Sequence, residues 1–403
     1  MKFNTYYLSD LYDISSGLSK KREEFGFGYP FLTFKEVFHN TFLPSELTEL
    51  ANTTENERIK CSIRKGDVFL TRTSEKLDEL GLSSVALKDY PNATFNGFTK
   101  RLRPNNLCNK ILLPKYAAFY FRSQNFRSQI TSFASMTTRA SLNNEIISKL
   151  TIDVPPVEYQ KQVINILDNL LNKEKNNFQI IEKLEQISQT LFKHWFIDFE
   201  FPNEEGKPYK SSGGEMVESE LGEIPKGWYY EKFNSIMKIS SGKRPKIKTE
   251  NYSFENPIPI IGASKIMGYT RETLFDSPIL VIGRVGTHGV VQKIIDRCWP
   301  SDNTLVIQSE FYNFVYEFLK VIDYKSLNRG STQPLITQTD IKNQLIILPE
   351  NQIIMKKFEG ILNPLLNKQF LIKKENGCLI QLRDTLLPKL LSGEIEIPDN
   401  LEV

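Results

Sequence analysis

Basic side chains that could bind phosphate groups are concentrated in two short stretches of this sequence, each directly after a glycine. The stretch SGKRPKIK has no acidic residue between Lys232 and Thr249, and its cations are Lys243, Arg244, Lys246 and Lys248. The stretch GLSKKR, near the start of the chain, contains Lys20, Lys21 and Arg22. Lysine and arginine bind phosphate oxygens without reading a base sequence. The pattern favours a phosphate-binding loop over a merely solvated basic face in the later stretch.

Two arginines follow strand-like apolar runs, where a side chain can project from the end of a strand. Arg72 ends VFLTR, and Arg284 ends LVIGR before Val285 and Gly286. A sharp turn there can present either the side chain or bare amide groups to a phosphate. A structural salt bridge explains an arginine at this place equally well. His288, in the same Gly-flanked turn, has no recognisable catalytic partner and is kept only as a candidate contact.

Further candidates lie in a long stretch without acidic residues. From Tyr90 to Asn144 there is no Asp or Glu, and the candidate cations near its middle are Lys100, Arg101 and Arg103. Aromatic residues are interleaved with these charges from Phe95 to Phe126. The aromatic side chains can either contact bases or pack a core, and core packing is favoured. The cations themselves indicate a basic surface that suits nucleic acid.

Two matching loops combine a cation with hydrogen-bonding side chains. The first contains Arg139, and the second contains Arg329, Thr332 and Gln333. Arginine and glutamine can hydrogen-bond to base edges in the major groove, and they can also bind phosphate. The sequence predicts contact at both loops and leaves open whether a base or a phosphate is contacted.

The elements that must position these residues occur twice. TTRASLNNEIISKLTIDVP, 137–155, aligns without gaps on STQPLITQTDIKNQLIILP, 331–349, at a constant offset of 194 residues. Leucines further along both halves correspond at an offset of 195. Near the front of each half, ISSG ends at Gly17 and again at Gly242. A repeat of about half the chain predicts two copies of one domain.

Each copy is predicted to be a mixed α/β globular part followed by a long helix. Short β-rich apolar runs separated by Gly, Pro and Asn predict strands, although their order is not fixed by the pattern. Helices are predicted over about Val157–Phe196 and about Glu350–Leu391. Apolar residues recur in both at three- and four-residue steps, which favours pairing of the two helices with each other. Pro364 is expected to kink or divide the second helix.

These elements divide the chain into segments. We predict a first globular domain at 1–155, a first long helix at 156–197, a linker at 198–227, a second domain at 228–349, a second long helix at 350–393 and a tail at 394–403. The linker is assigned from its content of Gly, Ser, Pro and Glu. The predicted fold class is mixed α/β (α+β) with a pseudo-two-fold internal repeat.

Composition and missing motifs exclude other classes of function. The chain has 403 residues, 40% hydrophobic and 25% charged, with a net charge of +3, and no run reaches the roughly 18 apolar residues of a membrane span. We therefore expect a cytoplasmic protein without membrane contact. Four cysteines and three histidines are too scattered for a metal site. There is no GxxxxGK[ST] loop, Gly-rich cofactor loop or NPPY-type tetrapeptide, so no catalytic residue and no cofactor is assigned to this chain.

The ordered set of motifs resembles that of the specificity subunits of Type I restriction-modification systems. FKHWFIDFEFP, 192–202, resembles the segment that ends the first long helix in these subunits, and GEIPKGW, 222–228, looks like the start of their second recognition domain. PIPIIGASKIMG, VIGRVGTHG and GSTQPLITQTDIKNQLIILP follow the family's recognition-domain pattern in order and spacing. The resemblance covers nearly the full chain.

The resemblance implies two target recognition domains, each reading one half of a bipartite, asymmetric sequence in double-stranded DNA. They would be separated by an antiparallel pair of the two long helices. The helices would dock methyltransferase subunits, expected to number two, and through them the restriction and translocase subunits. S-adenosylmethionine, ATP and Mg²⁺ are then expected on those partner subunits, and the cations named above become candidate DNA contacts.

Two other interpretations stay open at this point. The same architecture can serve another class of restriction-modification system, in which one partner chain both cleaves and methylates. A non-catalytic helical scaffold that binds only protein would also have two domains and two long helices. Binding to random duplex DNA at low salt would distinguish the scaffold from the other two.

Overall fold

The fold is described from a computed structural model. The structure describes residues 2–74, 79–134, 141–219, 222–284, 290–324, 326–327 and 336–398. The chain forms two compact units. Unit 1 consists of Met1–Lys175 and Gly377–Val403, and unit 2 consists of Asn176–Asn376.

Unit 1 is a mixed α/β domain built on short strands. Its elements in chain order are β1 (Asn4–Tyr7), α1 (Leu8–Leu11), β2 (Tyr12–Ser16), β3 (Phe25–Leu32), α2 (Phe34–His39), β4 (Leu50–Ala51), α3 (Glu55–Lys60), β5 (Val68–Thr71), β6 (Ser83–Val85), β7 (Thr94–Phe95), β8 (Thr99–Pro104), α4 (Asn106–Ile111), α5 (Pro114–Arg122), α6 (Gln124–Ala134), α7 (Asn144–Lys149), β9 (Thr151–Val154) and the start of α8 (Val157–Phe192).

Unit 2 continues α8 and then forms a second α/β domain. Its elements are β10 (Met216–Ser219), β11 (Gly222–Pro225), β12 (Trp228–Lys232), β13 (Lys238–Ser241), β14 (Ile258–Ile261), β15 (Ile266–Thr270), β16 (Ile279–Gly283), β17 (Val291–Ile294), β18 (Trp299–Pro300), β19 (Thr304–Gln308), α9 (Tyr312–Val321), α10 (Gln338–Lys342), β20 (Leu345–Pro349) and the start of α11 (Ile353–Ser392).

The two units repeat one sheet topology. An antiparallel sheet has the order β2-β8-β5-β6 in unit 1 and β13-β19-β16-β17 in unit 2. A second sheet, β4-β3-β7 or β15-β14-β18, combines one antiparallel and one parallel pair in each case. A two-stranded ladder, β1-β9 or β12-β20, completes each set. The predicted mixed α/β class and internal repeat are therefore confirmed.

Both faces of the four-stranded sheet are covered in each unit. In β5, Val68 and Leu70 belong to one hydrophobic core, whereas Phe69 between them belongs to another. Residues 279–282 of β16 alternate between two cores in the same way. Since successive side chains of a strand point to opposite faces, a sheet covered on both faces gives a continuous apolar run. The central strands therefore have no solvent-facing side.

The short helices begin at residues that satisfy their free amide groups. A threonine hydroxyl and an acidic side chain cap each other's backbone N–H groups in the reciprocal pairs Thr33–Glu36, Thr54–Glu57 and Thr337–Asp340. Asparagine side chains accept from backbone N–H groups at the starts of α4 and α7. These capping arrangements are the sequence signals that start helices between closely spaced strands.

The long helices run antiparallel within each unit. In unit 1, Tyr159 Oη donates to Leu390 O at 2.9 Å, and both side chains are buried. In unit 2, Asn177 Nδ2 donates to Asn376 Oδ1 at 2.8 Å, and Gln369 contacts the later part of α8. The residue numbers rise along one helix as they fall along the other, which confirms the predicted antiparallel pairing.

The expected division of the second helix at Pro364 is wrong, because α11 is one continuous helix from Ile353 to Ser392; the alternative, a kink, stays a prediction. A proline inside a helix removes one hydrogen bond and costs about 3 kcal/mol. Phe358 and Leu362 lie fully buried within two turns of it, and each such burial contributes roughly 1.5 to 3 kcal/mol. Their packing against unit 2 offsets the cost of the proline.

The segment 198–227, predicted as a linker, is folded onto unit 2. It contains the hairpin β10-β11, and Ile224 on this hairpin is buried in the core. Phe201 stacks on both Tyr209 and Trp228, with ring centroids 4.6 and 5.0 Å apart. Aromatic stacking gives this Gly- and Ser-rich segment a defined path, which its composition alone did not indicate.

A buried charge cluster attaches α8 to the domain of unit 2. The carboxylate of Glu185 on α8 accepts from Lys293 Nζ at 3.0 Å, from Lys320 Nζ at 2.7 Å and from Tyr316 Oη at 2.7 Å. Burial alone would raise the pKa of Glu185, but the charge of Lys293 and these hydrogen bonds lower it to about 2. Burial raises the pKa of the neighbouring Glu317, which is only 3% exposed, to about 7.

The raised pKa of Glu317 predicts a pH-dependent loss of stability. The folded state favours the protonated carboxyl of Glu317. The stability that this group contributes to folding is therefore fully present below the ordinary pKa of 4.5 and is lost as pH rises through about 7. Glu317→Gln should therefore raise the free energy of unfolding by about 2 to 3 kcal/mol at pH 8 and change it little at pH 4. Urea unfolding at both pH values measures this, with Glu310→Gln as the exposed control. An equal effect of Glu317→Gln at both pH values would contradict it.

Candidate nucleic-acid interface

The glycines that end β2 and β13 allow a close backbone approach. A Cβ atom on Gly17 would lie closer than 3.0 Å to Asn96 O, and one on Gly242 would lie equally close to Ser301 O. Real Cβ atoms do not come this near, so the repeated ISSG motif marks a site where only glycine fits. The chain therefore leaves β2 directly over the turn that precedes β8, and it leaves β13 directly over the turn that precedes β19.

The turns beneath these glycines have the same construction. Thr99 N and Oγ1 both donate to Asn96 O, at 3.0 and 2.7 Å. Thr304 N and Oγ1 donate to Ser301 O at the same two distances. Both threonines are fully buried, whereas the residue before each of them is exposed. We call these exposed residues, Phe98 and Asn303, the turn tips.

The backbone of each turn tip is tied to one of the predicted arginines. Arg72 N donates to Phe98 O at 2.8 Å, and Arg284 N donates to Asn303 O at 2.9 Å. The carbonyls of the same arginines accept from Leu142 N and Ile336 N. Arg72 and Arg284 therefore occupy equivalent positions, each joining a turn to the stretch that follows one of the two loops predicted to contact DNA.

The side chains of these arginines have unused donors. Among the described residues, neither the Nε of Arg72 nor that of Arg284 has a hydrogen-bond partner, although both atoms are buried. No described carboxylate pairs with either guanidinium, so the alternative of a structural salt bridge finds no support in the part of the chain that is described. A buried N–H without a partner costs about 1 to 3 kcal/mol. An external acceptor at this place would remove that cost.

The basic loop of unit 2 borders a concavity of about 550 Å³. Arg244, Lys246 and Lys248 line it together with the turn Ser301–Asn303, and Lys243 precedes them at the exposed start of the loop. Within the described ranges, none of these four cations forms an ion pair, and Asp302 is the acidic residue in the lining. A concave surface with several unpaired cations suits the phosphate backbone of a nucleic acid.

The corresponding loop of unit 1 offers less free charge. Lys21 and Arg22 are exposed, as predicted for contacts with a ligand. Lys20 instead pairs with Glu24 at 3.2 Å and with Glu57 at 2.9 Å, and its side chain is only 8% exposed. This geometry does not support the prediction that Lys20 binds DNA, because the ammonium group already holds two carboxylates of its own unit.

Three cations on β8 are also internal, contrary to the prediction. Lys100 and Arg101 are 6 and 7% exposed; Lys100 Nζ donates to Asn144 Oδ1 at 2.7 Å and Arg101 Nη1 to Ser62 O at 2.6 Å. Burial lowers the pKa of both groups. Arg103 forms two hydrogen bonds to the buried carboxylate of Asp67, at 2.8 and 2.6 Å. β8 is a central strand covered on both faces, so its charges must be satisfied internally.

Five predicted contacts lie outside the described residues. They are Arg139, His288, Arg329, Thr332 and Gln333. They stay predictions. The turn tips, by contrast, were missed: Phe98 was grouped with the core aromatic residues, yet it is 62% exposed. The Asn-Gly pair in TFNGFT and the Ser-Asp-Asn run before β19 were turn signals that could have indicated both positions.

The described residues contain no group of His, Cys, Asp and Glu that could hold a metal ion. The same residues contain no helix long and apolar enough to cross a membrane. The sites that this geometry does provide are cationic and hydrogen-bonding, and they recur once in each unit.

Comparison with known proteins gives this arrangement a family. The family model described as "Type I restriction modification DNA specificity domain" matches residues 2–186 and 225–375, so it matches both halves. The chain belongs to this family, and its function is recognition of the DNA target of a Type I restriction-modification system. The family predicted from the sequence motifs is confirmed.

Individual relatives extend along nearly the whole chain. The Type I restriction enzyme MjaIX specificity subunit of Methanocaldococcus jannaschii is 27% identical over 97% of this chain and 93% of that protein. The HindI specificity subunit of Haemophilus influenzae is 24% identical over 95 and 98%. A solved S subunit of a Type I system from M. genitalium has a TM-score of 0.59 and 15% identity over 96% of each chain, which shows a shared fold.

The cations of the unit 2 loop, which form no ion pair with any described residue, should dominate its phosphate contacts. Removing both charges by Lys243→Ala and Arg244→Ala should lower the slope of log affinity against log salt by roughly one to two units, since each phosphate contact contributes about 0.9. The control is Lys207→Ala with Lys226→Ala, whose ammonium groups pair with Glu205 and Glu215. A double variant with the slope of the wild type, measured by fluorescence anisotropy, would remove the loop from the interface.

Proposed function

We propose that this chain reads a bipartite DNA target, with one half-site read by each unit. The observation that carries the proposal is the equivalence of Arg72 and Arg284, each with a buried Nε that has no hydrogen-bond partner among the described residues and lies beside an exposed turn tip. Basic residues that follow Gly17 and Gly242 supply the neighbouring phosphate contacts. One binding site per repeat gives two half-sites, and different side chains at equivalent positions give an asymmetric target.

We further propose that the chain catalyses no reaction by itself. The structural candidates are donors and cations suited to binding, and the work of methylation and cleavage belongs to partner subunits. Those partners would carry S-adenosylmethionine, ATP and Mg²⁺. Action on DNA with such partners fits a cytoplasmic location.

The long helices are the proposed docking elements for two modification subunits, through which the restriction subunits would join. Within unit 2, large apolar side chains on α8 and α11 remain exposed by 40 to 60%; they are Phe178, Ile180, Ile187, Ile361 and Leu371. Exposed large apolar residues on paired helices suit contacts with another protein. This exposure supports the assignment of the helices, rather than the reading turns, to protein contacts.

The proposal is tested by selecting bound sequences from a random duplex library with the purified full-length chain at low salt. We expect a motif of two separate specified runs with an unspecified gap of constant length. The same preparation should neither methylate DNA nor hydrolyse ATP. Failure to retain any DNA is the behaviour of a protein-binding scaffold, and a single uninterrupted motif would contradict one half-site per unit.

A further inference from the structure

The two turn tips occupy the same place in the repeat but carry opposite chemistry. Asn303 has an amide that both donates and accepts hydrogen bonds, whereas Phe98 has an apolar ring. Each lies in a turn closed by a buried threonine, and the carbonyl of each accepts a hydrogen bond from an arginine backbone N–H. A difference confined to the exposed side chain of a repeated framework is the arrangement expected for residues that select between ligands.

The framework holds both tips in fixed positions. In unit 1, Gly97 N donates to Leu18 O at 2.8 Å, and Phe98 N donates to Asn96 Oδ1 at 2.7 Å. In unit 2, Ser301 N donates to Ile261 O at 2.9 Å. Backbone bonds on both sides of each turn limit its movement, so a base contact made by the tip would be preorganised.

Asn303 lies among the cations of the unit 2 loop. It lines the same concavity as Arg244 and Lys246. Its side chain is exposed, and its amide makes no hydrogen bond to any described residue. The neighbouring cations can hold the phosphate backbone while the amide faces a base edge. Asparagine pairs with the N6 and N7 positions of adenine through two hydrogen bonds in the major groove.

Phe98 cannot make such bonds, but it is suited to an apolar contact. Its ring is 62% exposed, although Phe95 and Phe121, aromatic residues of the same acid-free stretch, are fully buried. Covering an exposed ring with an apolar group is favourable. In the major groove, the apolar group available on a base edge is the C5-methyl group of thymine, and phenylalanine contacts it.

We infer that the turn tips determine specificity at one base pair in each half-site, with Asn303 reading an adenine and Phe98 reading the methyl group of a thymine. The inference rests on the proposed function and goes further, since it assigns a base to a residue. It also explains how one framework, repeated in both units, can read an asymmetric target.

The adenine contact is tested by a double-mutant cycle between Asn303 and the DNA. Each adenine of the selected target is replaced in turn by 7-deazaadenine, which lacks the N7 acceptor, and affinity is measured by fluorescence anisotropy. At one position this replacement should lower the DNA affinity of the wild-type chain about fivefold or more. Asn303→Ala and Asn303→Asp should both bind the natural and modified duplexes equally at that position. The control is Asn234→Ala, because Asn234 is exposed and lies outside the concavity. This variant should lose as much affinity as the wild-type chain when the adenine is replaced by 7-deazaadenine.

The thymine contact is tested in the same way with uracil, which lacks only the methyl group. At one position of the other half-site, the wild-type chain should lose about fourfold, the value of one buried methyl-sized group. Phe98→Ala should abolish this difference. Leu107→Ala, an exposed apolar residue beyond the far end of β8, should leave it unchanged.

The outcomes separate the inference from the proposed function. If the wild-type chain selects no bipartite target, the proposed function fails. If it selects one but the analogue penalties persist in the Asn303 and Phe98 variants, the assignment of the turn tips is wrong. A uniform loss of affinity for all duplexes would also overturn it, because that result indicates a phosphate or protein contact. Unchanged unfolding midpoints, expected for exposed positions, show that the variants are folded.

Discussion

The close backbone contact between the end of one strand and the turn before another is the constraint on which both proposed interfaces depend. Gly17 and Gly242 leave no room for a side chain over Asn96 O and Ser301 O. Because this approach fixes where the chain leaves β2 and β13, it also fixes the start of each basic loop. The same turns hold the exposed tips, and their carbonyls accept the backbone N–H groups of Arg72 and Arg284.

Charge in this protein is divided between internal and external roles. The cations on β8 and Lys20 are neutralised or solvated by groups of unit 1, so they hold the domain together. The four cations of the loop after Gly242 form no ion pair with any described residue. A net charge of only +3 therefore conceals a local basic surface, and unit 2 should contribute the larger share of the salt-dependent affinity.

Sequence alone could predict the repeat, the two long helices and the family, because a constant offset and a helical apolar stripe depend on spacing, which is visible in one dimension. The sequence does not show that both faces of β8 are covered, so it predicts surface positions for Lys100 and Arg101. The sequence also does not allow the free-energy cost of Pro364 inside a helix to be compared with the stabilisation from burying Phe358, since the extent of burial is known only from the packed structure. Phe98 was misassigned for the complementary reason: an aromatic residue is more often buried than exposed at a turn.

The central claim is that each unit reads its own half-site from a framework set by its glycine. The most direct measurement is hydroxyl-radical footprinting of the full-length chain on its selected target, with Gly17→Ala and Gly242→Ala. A Cβ atom at either position forces the local backbone to move. Gly242→Ala should lose protection over one tract and keep the other, and Gly17→Ala should show the reverse pattern. If each variant lost protection over both tracts, or over neither, the claim that the two units read their half-sites independently would be contradicted.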